Sequence, residues 1–269
     1  MTVSFALNHM VAPAMPLARF LDLAVSLGGD GVEIRNDLAG NAILDGIRPD
    51  TVRRLAAERG IRIISINALQ RFNEWSEERR QEAQDLISYA ADCGAEACVL
   101  VPVNEGGDRP DDGRHDRLCE ALSALRTILA DKGVFGLVEP LGFESCTLRS
   151  KRAAVDAIRA VGGQAQFRLV HDTFHHHLAG EPDLFAAETG LVHVSGVSDP
   201  DVTISMMRDA HRVLVTPDDR TDTVAQIREL YASGYKGPIS FEPFSPAIHG
   251  LQDPAPAMKA SMDYIRTSL

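Results

Sequence analysis

Four residues of the chain pair metal-ligating chemistry with a recurring position. Val138-Glu139-Pro140, His171-Asp172-Thr173, Val192-His193-Val194 and Phe241-Glu242-Pro243 each place such a side chain at or near the C-terminal end of a short β-branched or apolar run. Carboxylates gathered at one point repel one another, which raises their pKa values unless a cation compensates. One divalent ion held by Glu139, Asp172, His193 and Glu242 resolves that conflict. Oxygen-rich ligation with a single nitrogen suits Mn²⁺, Zn²⁺, Mg²⁺ or Co²⁺ better than copper, and Mn²⁺ is placed first. The competing reading, in which each acid caps a helix or pairs with a rim arginine, suffices for any one of the four. It is a poor account of all four in register on consecutive runs.

Other polar residues fall near equivalent ends. Glu33-Ile34-Arg35 and Asn67 end or follow earlier runs, and Asn8-His9 and Asn104-Glu105 do the same. Amides and guanidinium groups at such positions can bind a hydroxyl-rich ligand, because each hydroxyl both donates and accepts. They can equally satisfy loop backbone, so Glu33, Arg35 and Asn67 stand as candidate substrate contacts with that alternative open. In Thr173-Phe174-His175-His176-His177, His175 lies three positions beyond Asp172 and is chosen as a substrate contact. His176 and His177 are assigned to packing or solvent. Period-two alternation turns His171 away from the side that Asp172 faces. Phe72, Trp75 and Phe143 are candidates for an apolar wall.

The elements that must position these groups are regular. Eight strand candidates run over 3–7, 31–34, 61–66, 97–101, 136–139, 167–172, 191–194 and 238–242. Helix candidates lie near 16–27, 50–59, 76–92, 114–131, 150–160, 181–188, 221–233 and 255–267. Ser76 with Glu77 and Glu78 reads as a helix start and Gly94 as its end. Parallel strands require crossovers and crossovers are right-handed, so eight β-then-α units predict one α/β domain over residues 1–269, a single (β/α)8 TIM barrel. The open doubly wound sheet is the alternative, but no Gly-x-Gly-x-x-Gly follows the first strand. In a barrel the C-terminal strand ends share one mouth, which brings the four ligand-type residues together.

Composition narrows the function class. The chain has 269 residues, 45% hydrophobic and 24% charged, with 27 Lys plus Arg against 38 Asp plus Glu and a net charge of −11. That charge repels phosphate backbones and anionic lipid, so neither nucleic acid nor a membrane is expected as a partner. No window approaches a spanning helix and the N-terminus does not read as a leader, so the expected location is the cytoplasm. Cys93, Cys98, Cys119 and Cys146 lack C-x-x-C spacing and read as thiols in a reducing compartment.

On Val138-Glu139-Pro140, Asp172-Thr173-Phe174-His175, Val192-His193-Val194 and Phe241-Glu242-Pro243, in that order, the chain resembles the xylose-isomerase-like sugar isomerase/epimerase barrels. Within them it is most similar to the inosose isomerase branch. The resemblance implies one divalent metal on Glu139, Asp172, His193 and Glu242, with His175 against substrate. It also implies an arginine ahead of a Pro-Gly-x-Gly turn. Here Arg212 and Pro217 match but Asp218 and Asp219 replace the glycine, and Arg208 competes with Arg212 for the role. The implied activity is isomerisation of 2-keto-myo-inositol or a related keto sugar through a cis-enediol(ate), with Glu139 and Glu242 as the acid/base pair. Ketose 3-epimerisation, other sugar isomerisation and inosose dehydration are the alternatives within the class. Outside it stand an endonuclease IV-like phosphodiesterase, disfavoured by the charge, and a non-catalytic carbohydrate-binding barrel. The implied partner is a small keto sugar or inosose, and a homo-oligomer is compatible with the family.

Overall fold

The computed structural model describes residues 3–105 and 113–269. The strands are β1 (Phe5–Asn8), β2 (Gly31–Arg35), β3 (Arg62–Gln70), β4 (Ala97–Val101), β5 (Phe135–Val138), β6 (Phe167–Asp172), β7 (Thr189–Val194) and β8 (Ile239–Phe241). All neighbours pair in parallel, and β1 pairs with β8 to close the barrel in sequence order. The helices are α1 (Leu17–Ser26), α2 (Pro49–Glu58), α3 (Glu77–Cys93), α4 (Arg114–Lys132), α5 (Lys151–Ala160), α6 (Thr173–Ala179), α7 (Thr223–Ala232), α8 (Pro246–His249) and α9 (Ala255–Ser268).

Strand alternation builds two cores. Ala6, Ile64, Ala97, Val99, Leu137, Val170 and Leu191 fill the barrel interior. Phe5, Leu7, Val32, Ile34, Leu169, Val192 and Phe241 face outward and pack against helix residues such as Phe20, Ile87, Leu122 and Ile265. Burying each of these large side chains contributes roughly 1.5–3 kcal/mol before conformational entropy is set against it. The interior is closed by apolar residues below, so polar groups collect at the C-terminal mouth.

Local signals act as the sequence predicts at α3. Ser76 Oγ accepts from the Arg79 amide at 3.0 Å, and Gly94 ends the helix at φ 82°, a left-handed conformation that glycine adopts without strain. Two elements differ. The helix expected at 181–188 is absent, and the sixth crossover instead begins directly at Asp172 with α6. Asp172 accepts from the His175 amide at 2.9 Å and so caps that helix, which ends at Gly180. Pro182 interrupts the following segment, and Glu181 caps α5 by accepting from the Lys151 and Arg152 amides at 2.8 and 3.0 Å. Strand β3 runs four residues past its expected end at Ile66, which puts Asn67 inside it.

Among the described residues, no helix is long and apolar enough to cross a membrane. The four cysteines are free; Cys119 is half-buried beside His115 Nε2 at 3.4 Å, and the other three are buried.

Candidate active site

Strands β5 to β8 deliver four side chains to one point. Glu139 and Glu242 follow the last residues of β5 and β8, Asp172 ends β6, and His193 is next to last in β7. All four are buried, and one ligand atom from each lies within 4.8 Å of the others. His193 Nδ1 is 2.9 Å from Glu139 Oε1, 3.2 Å from Glu242 Oε2 and 4.0 Å from Asp172 Oδ2. Donors on a common sphere of first-row metal bond length, about 2.1 Å, are separated by up to about 4.2 Å. The set therefore fits a single divalent ion after small side-chain adjustment.

Charge is unevenly compensated across this set. Arg212 Nη2 donates to Asp172 Oδ2 at 2.5 Å and Glu242 Oε2 at 3.1 Å, while Arg35 Nη1 donates to Glu242 Oε1 at 2.9 Å. Asn8 and Asn67 add amide donors to that same oxygen at 3.2 and 3.3 Å. Burial would raise the Glu242 carboxyl, but His193, Arg212 and Arg35 outweigh it and hold the group below the ordinary carboxylate range. Among the described residues no arginine pairs directly with Glu139, although Arg35 and Arg212 act on it from a distance. Burial pushes it up to about 7, His193 offsets part of the rise, and repulsion from Glu242 and Asp172 adds to it. His193 moves well above an ordinary histidine: burial opposes its charge, but Glu33, Glu242 and Glu139 overcome that opposition. Acidic groups this crowded are the electrostatic counterpart of a cation site.

Glu139 and Glu242 open on a cavity of about 340 Å³, whose wall also includes Arg35, Asn67, Phe143, His175, Arg212 and Phe244. That volume admits a six-carbon polyol. Arg212 is fixed on several sides: Nε donates to Ser195 Oγ at 3.0 Å, and the guanidinium lies 4.6 Å over Phe244 and 5.1 Å over Phe174. His175 stands edge-on to Phe143 at 5.0 Å, and its buried Nδ1 has no hydrogen-bond partner among the described residues. Burial lowers its pKa. A neutral imidazole presents an acceptor to a ligand hydroxyl. A close backbone approach places α6 here, since a Cβ at Gly142 would lie 2.2 Å from the His175 carbonyl oxygen.

A family model described as the xylose isomerase-like TIM barrel matches residues 21–268. The chain belongs to that family. Inosose isomerase from Bacillus velezensis is 26% identical over 243 residues, covering 87% of this chain and 86% of that one. A xylose isomerase domain-containing protein from Salmonella typhimurium superposes with TM-score 0.87 at 32% identity, covering 100% of this chain and 97% of that one. The IolI protein, solved with a bound zinc atom, superposes with TM-score 0.85 at 20% identity over 99% and 98% of the two chains. The last comparison is one of fold.

Within this family barrel the sequence-derived candidates separate. Arg35, Asn67, His175 and Arg212 line the cavity with Glu139 and Glu242. Arg208 does not; its Nη1 donates to the Ser205 and Met207 carbonyls at 2.9 and 2.7 Å on the wall of a separate outer cavity of about 910 Å³. Glu33 is also displaced from its expected place at the mouth. Strand β2 continues to Arg35, so alternation puts Arg35 at the rim and Glu33 one inward position deeper, beneath the His193 ring. Phe72 is in the barrel–helix core and Trp75 packs against that core, so Phe143 alone of the three aromatics lines the cavity. His9 stacks on Phe20 at 4.2 Å and bonds the Met15 carbonyl, and it does not line the cavity. His171 faces the helix layer, with Nδ1 2.8 Å from Lys151 Nζ and Nε2 2.9 Å from Gln226 Oε1, and His176 packs against it.

The sequence reading missed Phe244 and Asp209. Phe244 lies two positions after Glu242, which by alternation returns it to the same side, and that spacing was its available signal. Asp209 forms an ion pair with Arg212 at 3.2 Å, and nothing in its surroundings marks it before the fold is known.

Proposed function

We propose that the protein, acting as one domain over residues 1–269, is a divalent-metal-dependent isomerase of a keto-cyclitol or keto sugar, with 2-keto-myo-inositol as its substrate. The carrying observation is the pair Glu139 and Glu242. Both carboxyls are buried, both open on the six-carbon-sized cavity, and both meet the same His193 nitrogen, at 2.9 and 3.2 Å. The similarity to the inosose isomerase of Bacillus velezensis supports the choice of substrate.

A divalent ion, Mn²⁺ for preference, held by Glu139, Asp172, His193 and Glu242, would supply Lewis acidity to a substrate carbonyl and the adjacent hydroxyl. The chain's residues then move the protons. One of Glu139 and Glu242 takes the proton from the carbon beside the carbonyl, so that the C–H pair becomes the C=C of an enediol(ate). The other delivers a proton to the former carbonyl carbon, while the hydroxyl proton of the neighbouring oxygen passes to the former carbonyl oxygen and the neighbouring oxygen becomes the new carbonyl. Arg212 and Arg35 favour the anionic form of Glu242 in the resting site, the form able to take up a proton. His175 accepts from a ring hydroxyl, and Phe143 and Phe244 exclude water from the reacting face.

The test combines Mn²⁺ titration with turnover of 2-keto-myo-inositol by the wild type, Glu139→Gln and Glu242→Gln. Both variants are expected to fold and each to lose turnover by roughly 10²–10⁴-fold, the ordinary contribution of a positioned acid or base. Full activity in the double variant overturns the reading. Metal binding and sugar binding without turnover in the wild type would identify a carbohydrate-binding barrel instead.

A further inference from the structure

We propose that Glu33 is a positioning residue that fixes the tautomer and orientation of His193 for metal ligation; this rests on the ligand set proposed above. Glu33 is fully buried in β2, one layer below the mouth, and does not line the cavity. Its two oxygens lie 3.0 and 3.1 Å from His193 Nε2. They are held there by Ser65 Oγ at 2.6 Å from β3, Ser240 Oγ at 2.5 Å from β8, and Asn8 Nδ2 at 3.4 Å from β1. Every one of these neighbours is a donor, so the carboxylate is anchored as a pure acceptor. A pure acceptor at Nε2 requires the proton on that nitrogen. A neutral imidazole with Nε2–H carries its lone pair on Nδ1, and Nδ1 is the atom that faces Glu139, Asp172 and Glu242.

The arrangement is thus a carboxylate–histidine–metal relay spanning the barrel from β2 to β7. Such a carboxylate orients the ring and strengthens the ligand nitrogen, and its loss typically costs 10–100-fold in metal affinity. Four strands that contribute no more than one metal ligand among them, β1, β2, β3 and β8, are tied by this relay to the ligand on β7.

The experiment uses Zn²⁺ alone, by calorimetric titration, with ¹⁵N-histidine NMR of the zinc-loaded protein. In the wild type His193 is expected to show a proton on Nε2 and none on Nδ1. Glu33→Ala is expected to bind Zn²⁺ roughly 10–100-fold more weakly, and Glu33→Gln, which retains an acceptor oxygen, to lose less. An unprotonated Nε2 in the wild-type zinc complex overturns the proposal and needs no variant to fold. Equal zinc affinity in wild type and Glu33→Ala overturns it too. A wild type that binds no zinc defeats the metal site itself, whereas zinc bound with Nε2–H but no turnover of a keto sugar defeats the functional reading and leaves Glu33 in its role.

Discussion

Lys151 offers a quantitative test of the polar packing behind Asp172. It opens α5 with its amine buried, 2.8 Å from His171 Nδ1 and 3.4 Å from the Leu184 carbonyl. Among the described residues no carboxylate pairs directly with that amine, although Glu181 and Asp183 act on it from a distance. Burial lowers its pKa from 10.5 to about 7, with Glu181 and Asp183 opposing the shift. Between pH 7 and 10.5 the unfolded chain therefore binds a proton that the native amine has given up. Stability rises with pH through that window, by up to about 1.4 kcal/mol per pH unit. Below pH 7 both states are protonated and the full penalty, roughly 5 kcal/mol, is present. Lys151→Met keeps the side-chain length and abolishes the titration, at a cost of about 1–3 kcal/mol for leaving His171 Nδ1 without a donor. At pH 6 the variant is expected to be more stable than wild type by roughly 2–4 kcal/mol, and above pH 10 less stable by about 1–3 kcal/mol. Urea denaturation of both proteins from pH 6 to 10.5 reads the difference, because groups common to both cancel. Parallel stability curves would refute the reasoning and place a charged, solvated ammonium in the native state.

Three further substitutions probe the mouth. Arg212→Met removes the guanidinium shared by Asp172 and Glu242, and breaking a buried pair from one side costs about 3–5 kcal/mol. In the metal-free protein this is expected to lower Tm by roughly 6–20 °C, with a drop under about 2 °C contradicting the charge assignment. Gly142→Ala places a methyl 2.2 Å from the His175 carbonyl oxygen, so it must displace α6. It is expected to raise KM as well as lower Tm, and unchanged kinetics would remove His175 from the substrate. Arg208→Ala, on the outer wall, is expected to change KM by no more than about twofold for a six-carbon substrate.

The legible part of the site was the part written into single strands. Glu139, Asp172, His193 and Glu242 each lie at or next to the end of a short apolar run, so the fold class alone carries them to a common mouth. What the sequence could not show depends on relations between strands. Glu33 and Arg35 look equivalent on paper, and only the length of β2 and its pairing Arg35↔Asn67 separate a rim residue from one buried under a histidine. Arg208 and Arg212 likewise differ by one helical turn in sequence but face different cavities, because the Arg212 carbonyl is tied to the Phe244 and Ser245 amides at 3.0 and 2.8 Å. The sixth helix was misplaced for a local reason. Glu181–Glu188 has the composition of a helix, yet Asp172 caps a helix one residue later and the histidine triplet becomes part of it.

The most direct test of the central claim is NMR of the metal-loaded protein with 2-keto-myo-inositol in D₂O. The account predicts a new inosose, with deuterium entering at the carbons flanking the carbonyl as Glu139 and Glu242 exchange protons with solvent. Unchanged substrate with no deuterium uptake, while the metal is demonstrably bound, would contradict it, and loss of water to an unsaturated product would replace isomerisation with dehydration.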